Sequence, residues 1–432
     1  MFAVSFTGSA ALEFGYDLDK KDYGFANKAS TELKFGFELG SGEGGSAGEK
    51  DLRAEIAGEF KVEFKEATYK TKSGITAQVT TLEITKANIL YKDILTVGML
   101  GAGSSADYVS SYNTASADIK DGGEVVVKKG KTVSNLITAL ANDERDFLPG
   151  FTVEAYGVKG GFGLSGKADD TKAYHVLAHA ALVDKELAEG FKLSVGAGAL
   201  LEGNKDTNSS TLQANLKGAY SQDKLSASLA VDFQTVLEKD QDAKVGFEAS
   251  AAASYDFVSL NAYFYLMDKE NAILDAKVAA NKTFEIDENV SVKVTGSFEA
   301  NNVADKTRNA KDYTEQNGGA QEFTPALDAS CTVDKFTFGA GASYGIKAKA
   351  LAVNGSVKYA PEEFTAEVKA VFKKTIEVEK SNVLTLEASI SSDKVIDGAT
   401  LSLAYAGSKN LLKDQTTAQT LGKITAGATV KF

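Results

Sequence analysis

The chain has 432 residues and a net charge of −12, which argues against a surface for nucleic-acid phosphates. Hydrophobic residues make up 43% and charged residues 25%, which excludes disorder, and a single cysteine excludes an internal disulfide framework. No run of about eighteen apolar residues could cross a bilayer as a helix, and the regions of a secretory signal peptide are missing, so the sequence reads as a mature chain.

What the chain has instead is alternation. From Phe2 to Leu18, Phe2, Val4, Phe6, Leu12, Phe14 and Tyr16 share one parity, while Ser5, Thr7, Ser9 and Glu13 take the other. Such a period of two marks a strand with one apolar and one polar face. A polar stretch, Lys20 to Lys28, reads as a loop. The next strand, 31–39, puts Glu32 on its polar parity, and 52–64 puts Arg53, Glu55, Glu59 and Lys61 there. Two strands are expected at 79–91 and 94–102, with a tight Lys92–Asp93 turn between them.

The stretch 103–149 breaks the rhythm. Its spacing of Val133, Leu136, Ile137 and Leu140 after Thr132 predicts a short amphipathic helix. Because this insertion is far beyond ordinary loop length, it is the candidate to fold inward and constrict a lumen, or outward as a cap. Alternation resumes at Phe151 and continues to the end, broken only by the polar loop 301–321 and by 408–419. Tight turns are expected at Gly160, Asp256–Phe257, Asp334–Lys335 and Pro361–Glu363. In this half the polar parity carries His175, His179, Asp232, Lys244, Glu248, Asp275, Lys277, Lys293, Glu299, Asp328, Lys358, Glu367, Lys369 and Lys423.

The last strand, 421–432, alternates strictly and stops at Phe432, on the apolar parity. A spanning strand cannot leave an unpaired edge in lipid, so the first strand is its natural partner. Together these features predict an all-β fold: one large antiparallel transmembrane barrel over 1–432, with about 22 strands (roughly 18–24). Short turns lie at one end and long loops at the other, as in outer-membrane barrels. A soluble multi-domain β-sandwich also alternates, but would need linkers that the sequence lacks.

The polar-parity charges then line the lumen, because charge facing lipid is costly. Both signs occur, so at most a mild cation preference is expected. So wide a barrel holds water, a plug or an inserted loop. No catalytic set is expected: the two histidines lie on one strand about 13 Å apart, and Cys331 shares the apolar parity. Gly160–Gly161 and Gly339–Gly341 precede no helix, so no phosphate loop is read there. No metal or cofactor is expected; Asp240, Asp242 and Asp268–Glu270 read as solvated loop tips.

The opening SFTGSAALEFGYDLDKKDYGFANKASTELKFGFEL resembles the treponemal major outer sheath protein and treponemal repeat protein family, in its SxSGSA-type start, the E-F-G-Y run and a T-x-L-x-F strand. The resemblance extends to the terminal Val430–Lys431–Phe432 and carries over no functional residues. It implies a spirochaete outer-membrane porin, often trimeric, that also adheres to host matrix proteins. It implies partners in outer-membrane lipid and the barrel assembly machinery, which reads a terminal aromatic such as Phe432. The expectation is therefore a pore-forming protein passing small hydrophilic solutes, not an enzyme, with a host-binding adhesin of little channel activity as the alternative.

Overall fold

The computed structural model describes residues 2–40, 52–64, 77–92, 94–103, 105–106, 108–109, 113–114, 117–120, 124–127, 131–132, 149–166, 173–267, 271–301, 303, 321–406 and 410–431. For some of these, including 2–10, 25–40, 59–64 and 77–83, only the backbone is described. The helical pattern at Val133, Leu136, Ile137 and Leu140 lies outside the described residues, as does Phe432.

The strands are β1 (Phe2–Asp17), β2 (Asp22–Gly40), β3 (Leu52–Phe64), β4 (Ala77–Tyr91), β5 (Leu95–Gly98), β6 (Asn113–Thr114), β7 (Ala117–Lys120), β8 (Glu124–Val127) and β9 (Lys131–Thr132). They continue as β10 (Gly150–Ala155), β11 (Val158–Gly166), β12 (Tyr174–Ala188), β13 (Phe191–Gly203), β14 (Asn208–Gln222), β15 (Leu225–Glu238), β16 (Lys244–Tyr255), β17 (Val258–Met267) and β18 (Asn271–Asp287). The rest are β19 (Val290–Asn301), β20 (Glu322–Val333), β21 (Phe336–Gly345), β22 (Ala350–Tyr359), β23 (Thr365–Thr375), β24 (Val383–Ile396), β25 (Ala399–Ala406) and β26 (Lys423–Lys431).

Setting aside β6–β9, which pair among themselves, the strands form one 22-stranded sheet in which each is antiparallel to its chain neighbours. The sheet closes on itself: β1 pairs with β26 from Ser9↔Lys431 to Asp17↔Lys423. Closure removes the edges that lipid would not tolerate.

The register also closes. Glu13 stands opposite Gly427 in β26, and Thr7 opposite Glu32 in β2. Glu32 is opposite Lys61 and Glu38 opposite Glu55. Followed pair by pair around all the strands, the polar parity returns to itself at Lys423, in line with Asp17. One continuous face is therefore polar. The other carries the large exposed apolar chains, among them Leu12, Phe162, Leu229, Leu327, Leu403 and Val430. In water such a surface would be a liability; against hydrocarbon it is the required one.

The outer face is banded. At the short-turn end stand Tyr91, Tyr255, Phe284, Phe336 and Tyr359, with Phe336 and Tyr359 stacked at 4.4 Å. At the long-loop end stand Phe14, Tyr23, Tyr174, Phe298, Phe323 and Tyr405, with Phe14 and Tyr23 at 6.3 Å. Two aromatic girdles around an apolar band are the signature of a wall seated in a bilayer. With no tryptophan in the chain, phenylalanine and tyrosine make both.

Connections at one end are short, from the two-residue Asp256–Phe257 to 360–364, apart from 41–51. Asp223, Asp256 and Asp334 hold φ of 50–52° there, a left-handed conformation that Asp adopts more readily than most residues. The connections 99–149, 302–321 and 407–422 all lie at the other end.

Three sequence expectations are corrected. Lys20–Lys28 is not a loop: the chain reverses over 18–21 and β2 begins at Asp22, where polar residues still satisfy a lumen-facing parity. Gly160 is not a turn but pairs with Val153 and Ala180 inside β11; the reversal is at Tyr156–Gly157, both with positive φ. The strand expected at 94–102 ends at Gly98, because the chain then turns inward.

Candidate functional site

The inward turn begins at Gly101 and Gly103, whose φ values of 105° and 66° suit glycine. From there the chain runs along the polar face of the wall. Its described residues, 101–103, 105–106 and 108–109, form a strap crossing β11 to β15.

Each anchor of the strap is a wall group on the polar parity or a strand carbonyl. His179 Nε2 donates to the Ala102 carbonyl at 2.7 Å. The Ser105 hydroxyl donates to Gln213 Oε1 at 2.6 Å. The backbone N–H groups of Tyr108 and Val109 donate to Asp232 Oδ2 at 3.3 and 3.0 Å. Asn215 Nδ2 donates to the other oxygen of that carboxylate at 2.6 Å. The Tyr108 hydroxyl donates to the Leu182 carbonyl at 3.3 Å. Beneath the strap, Ala102 packs on Leu177, itself against Leu200, as a small apolar core inside the lumen.

The wall is shaped to receive it. A Cβ on Gly161 would lie 1.9 Å from the Ala102 carbonyl oxygen, and one on Gly196 would lie 2.8 Å from Ala106 Cβ. Burial, then the carboxylates of Asp184 and Asp232, push the Tyr108 phenol above the usual tyrosine value, which keeps it a hydrogen-bond donor.

All of the charged and histidine residues expected on the lumen face lie on it by register, but not in equivalent surroundings. Several are paired: Glu13 with Lys423 at 3.9 Å, His175 with Glu202 at 3.5 Å, Lys244 with Glu238 at 3.3 Å, Lys277 with Glu299 at 3.6 Å, and Lys369 with Glu367 at 3.0 Å. Asp328 accepts from Asn354 Nδ2 at 3.5 Å. Lys293 lies opposite Ser330, and Lys358 opposite Thr337 and Glu367. Arg53 and Glu55 oppose Gly40 and Glu38; Glu59 and Lys61 oppose Lys34 and Glu32.

Four of the expected lumen charges, Asp232, Glu248, Asp275 and Glu299, are not bathed by lumen water but are 0–3% exposed. Glu248 accepts a hydrogen bond from Tyr263, and Glu299 accepts from Asn301 at 3.0 Å. Buried carboxylates are tolerated when their oxygens are hydrogen-bonded. The two histidines have different partners, and among the described residues no group of three or more His, Cys, Asp or Glu could hold a metal ion. Cys331 is a free, half-buried thiol on the outer parity, opposite Val292 and Phe338.

Sequence reasoning missed Gln213, Asn215 and Gly161 as strap anchors and clearances. Alternation placed Gln213 and Asn215 on the lumen face, but nothing in the sequence says which lumen residues meet an inserted segment.

The fold and this interior define a large closed β-barrel whose outer face suits a bilayer and whose lumen holds an anchored strap. No family model matches the sequence, and no curated protein matches it. The solved structures it is similar to include the P pilus usher PapC translocation pore, at TM-score 0.36 and 9% identity over 100% of this chain and 99% of that one. They also include Acinetobacter baumannii OccAB4, at 0.37 and 9% over 100% and 98%, and Pseudomonas aeruginosa OpdQ, at 0.38 and 9% over 100% and 98%. At that distance the likenesses carry no inference about function.

Proposed function

We propose that this chain is a bacterial outer-membrane channel that passes small hydrophilic solutes and is narrowed from within by the 101–109 strap. The observation that carries the reading is the strap itself, hydrogen-bonded to the polar face of a closed wall whose other face is apolar. Charges of both signs share the wall and several are ion-paired, which suits passage of neutral solutes better than strong ion selection. The chemistry is passive: the groups described bind, position and exclude, and no reaction is assigned to them.

Host-matrix adhesion and trimeric assembly come from the family resemblance alone; solid-phase binding and sedimentation of the refolded protein check them. The channel reading is tested by reconstituting refolded protein in liposomes and following swelling in sugars of increasing size. Swelling that falls off with solute size is expected. Liposomes as tight as protein-free ones would reject the reading.

A further inference from the structure

The lipid-facing wall is not equally filled all the way round. A groove of about 440 Å³ runs across β22 to β26, lined chiefly by apolar side chains of the outer parity. Two neighbouring register rows make it. In the first, Tyr359, Ala366, Ile390 and Leu403 stand side by side on β22, β23, β24 and β25. In the second, Val368, Ala388, Tyr405 and Ile424 stand side by side on β23, β24, β25 and β26. Each row has an alanine where its neighbours carry large side chains, so Ala366 and Ala388 form a sunken floor.

Both ends of the groove are held in place. Tyr359, in the short-turn girdle, stacks on Phe336 at 4.4 Å and meets Phe364 edge-on at 5.6 Å, contacts that fix the ring. Tyr405, in the long-loop girdle, donates its hydroxyl to the Leu421 carbonyl at 2.6 Å. The groove therefore leads from one girdle toward the other, across the hydrocarbon layer that the girdles bound. Between its ends Val368, Ile390, Leu403 and Ile424 remain 41–49% exposed. In hydrocarbon there is no water to expel, so van der Waals packing selects the occupant. A single flexible apolar chain can follow a sunken floor, whereas the convex wall of a second copy would bridge its rims.

We propose that this groove holds a single acyl chain of a bilayer phospholipid as a resident, slowly exchanging lipid. The tail lies over Ala366 and Ala388 and touches side chains on both flanks, where a tail on the filled wall touches one surface only. Because the two tyrosines are already fixed, the protein pays little ordering cost to receive it. The proposal goes beyond the channel reading: it rests on the outer face meeting lipid and not on conduction, so a barrel that fails to conduct still carries the site.

The test is intact-mass spectrometry of the refolded full-length protein, reconstituted in dimyristoyl phosphatidylcholine vesicles and released in mild detergent. The wild type is expected to keep a phospholipid on each chain through repeated detergent washing. The double substitution Ala366→Phe with Ala388→Phe fills the floor and should lose it. Ala251→Phe, an equal enlargement on the outer parity of β16 opposite Leu229 and Ala262, should keep it. Folding of each variant is checked by heat-modifiable migration; should the double variant fail to fold, each single substitution, expected to lose the lipid too, decides in its place. No retained phospholipid on the wild type, equal retention when the floor is filled, or equal loss in Ala251→Phe would overturn the site. So would wild-type oligomers that filling the floor breaks up, since a second copy would then cover the groove.

Discussion

Gly161 shows most sharply how a single residue sets the interior. Its missing side chain is the space that the Ala102 carbonyl occupies, and His179, two residues from Leu177 on the neighbouring strand, closes the contact from the other side. Gly161→Val would add carbon where none fits, an overpacking that typically costs about 1–3 kcal/mol. The strap, held by side-chain hydrogen bonds, should give way before the strand ladder does. We expect normal heat-modifiable folding and a larger single-channel conductance; unchanged conductance would mean that the strap does not narrow the path. Tyr108 adds a pH dependence with a definite sign. Its raised pKa means that anchoring is fully present below the ordinary tyrosine value of 10.0 and is lost as pH rises through the higher folded value. The difference between the absorbance titrations of wild type and Tyr108→Phe should show a phenol that ionises above the ordinary tyrosine value.

At the scale of the strand, parity is the physical rule. On β19, Val292 faces outward beside Cys331, whereas Thr295 lies on the lumen face opposite Asp328 and Asn281. Val292 pairs with Phe284 at the level of the short-turn girdle. The sharper contrast is therefore Leu327→Arg, on the outward parity of β20 opposite Gly296 and between the two girdles, which should cost about 2–4 kcal/mol of folding in lipid, whereas Thr295→Arg should stay within about 0.5 kcal/mol. Urea titration in vesicles measures both. Parity is also why the strands were legible in the sequence. A wall with lipid on one side and a polar lumen on the other imposes a period of two on nearly every spanning residue, and the turns at Asp256–Phe257 and Asp334–Lys335 carry residues that tolerate positive φ. Where the constraint lapses, legibility lapses too. Asp22 to Lys28 looked like loop because the polar run Lys20–Asp22 leads into it and its outward parity carries only Tyr23 and Phe25 before Asn27 interrupts the apolar series. The strap was legible only as an interruption, since its anchors are ordinary lumen residues.

For the molecule as a whole, closure is what makes the sheet a wall. The β1–β26 seam is reinforced at the long-loop end, where the Asp19 carboxylate accepts from Leu421 N–H at 2.7 Å and Gly422 N–H at 3.0 Å. Leu18 N–H also donates to the Gly422 carbonyl at 2.9 Å. Asp19→Ala should lower the temperature at which the folded band converts to the unfolded one in gels, while Asp242→Ala, at an exposed loop position away from the seam, should leave it unchanged. The central claim is that one face of this closed sheet meets water and the other meets lipid. It is tested most directly by single cysteines at four consecutive small positions of β16, Ala249, Ser250, Ala251 and Ala252, in a Cys331→Ser background. A membrane-impermeant maleimide should label positions 250 and 252, and brominated lipid should quench fluorophores attached at 249 and 251. The same labelling and the same quenching at all four positions would contradict the account.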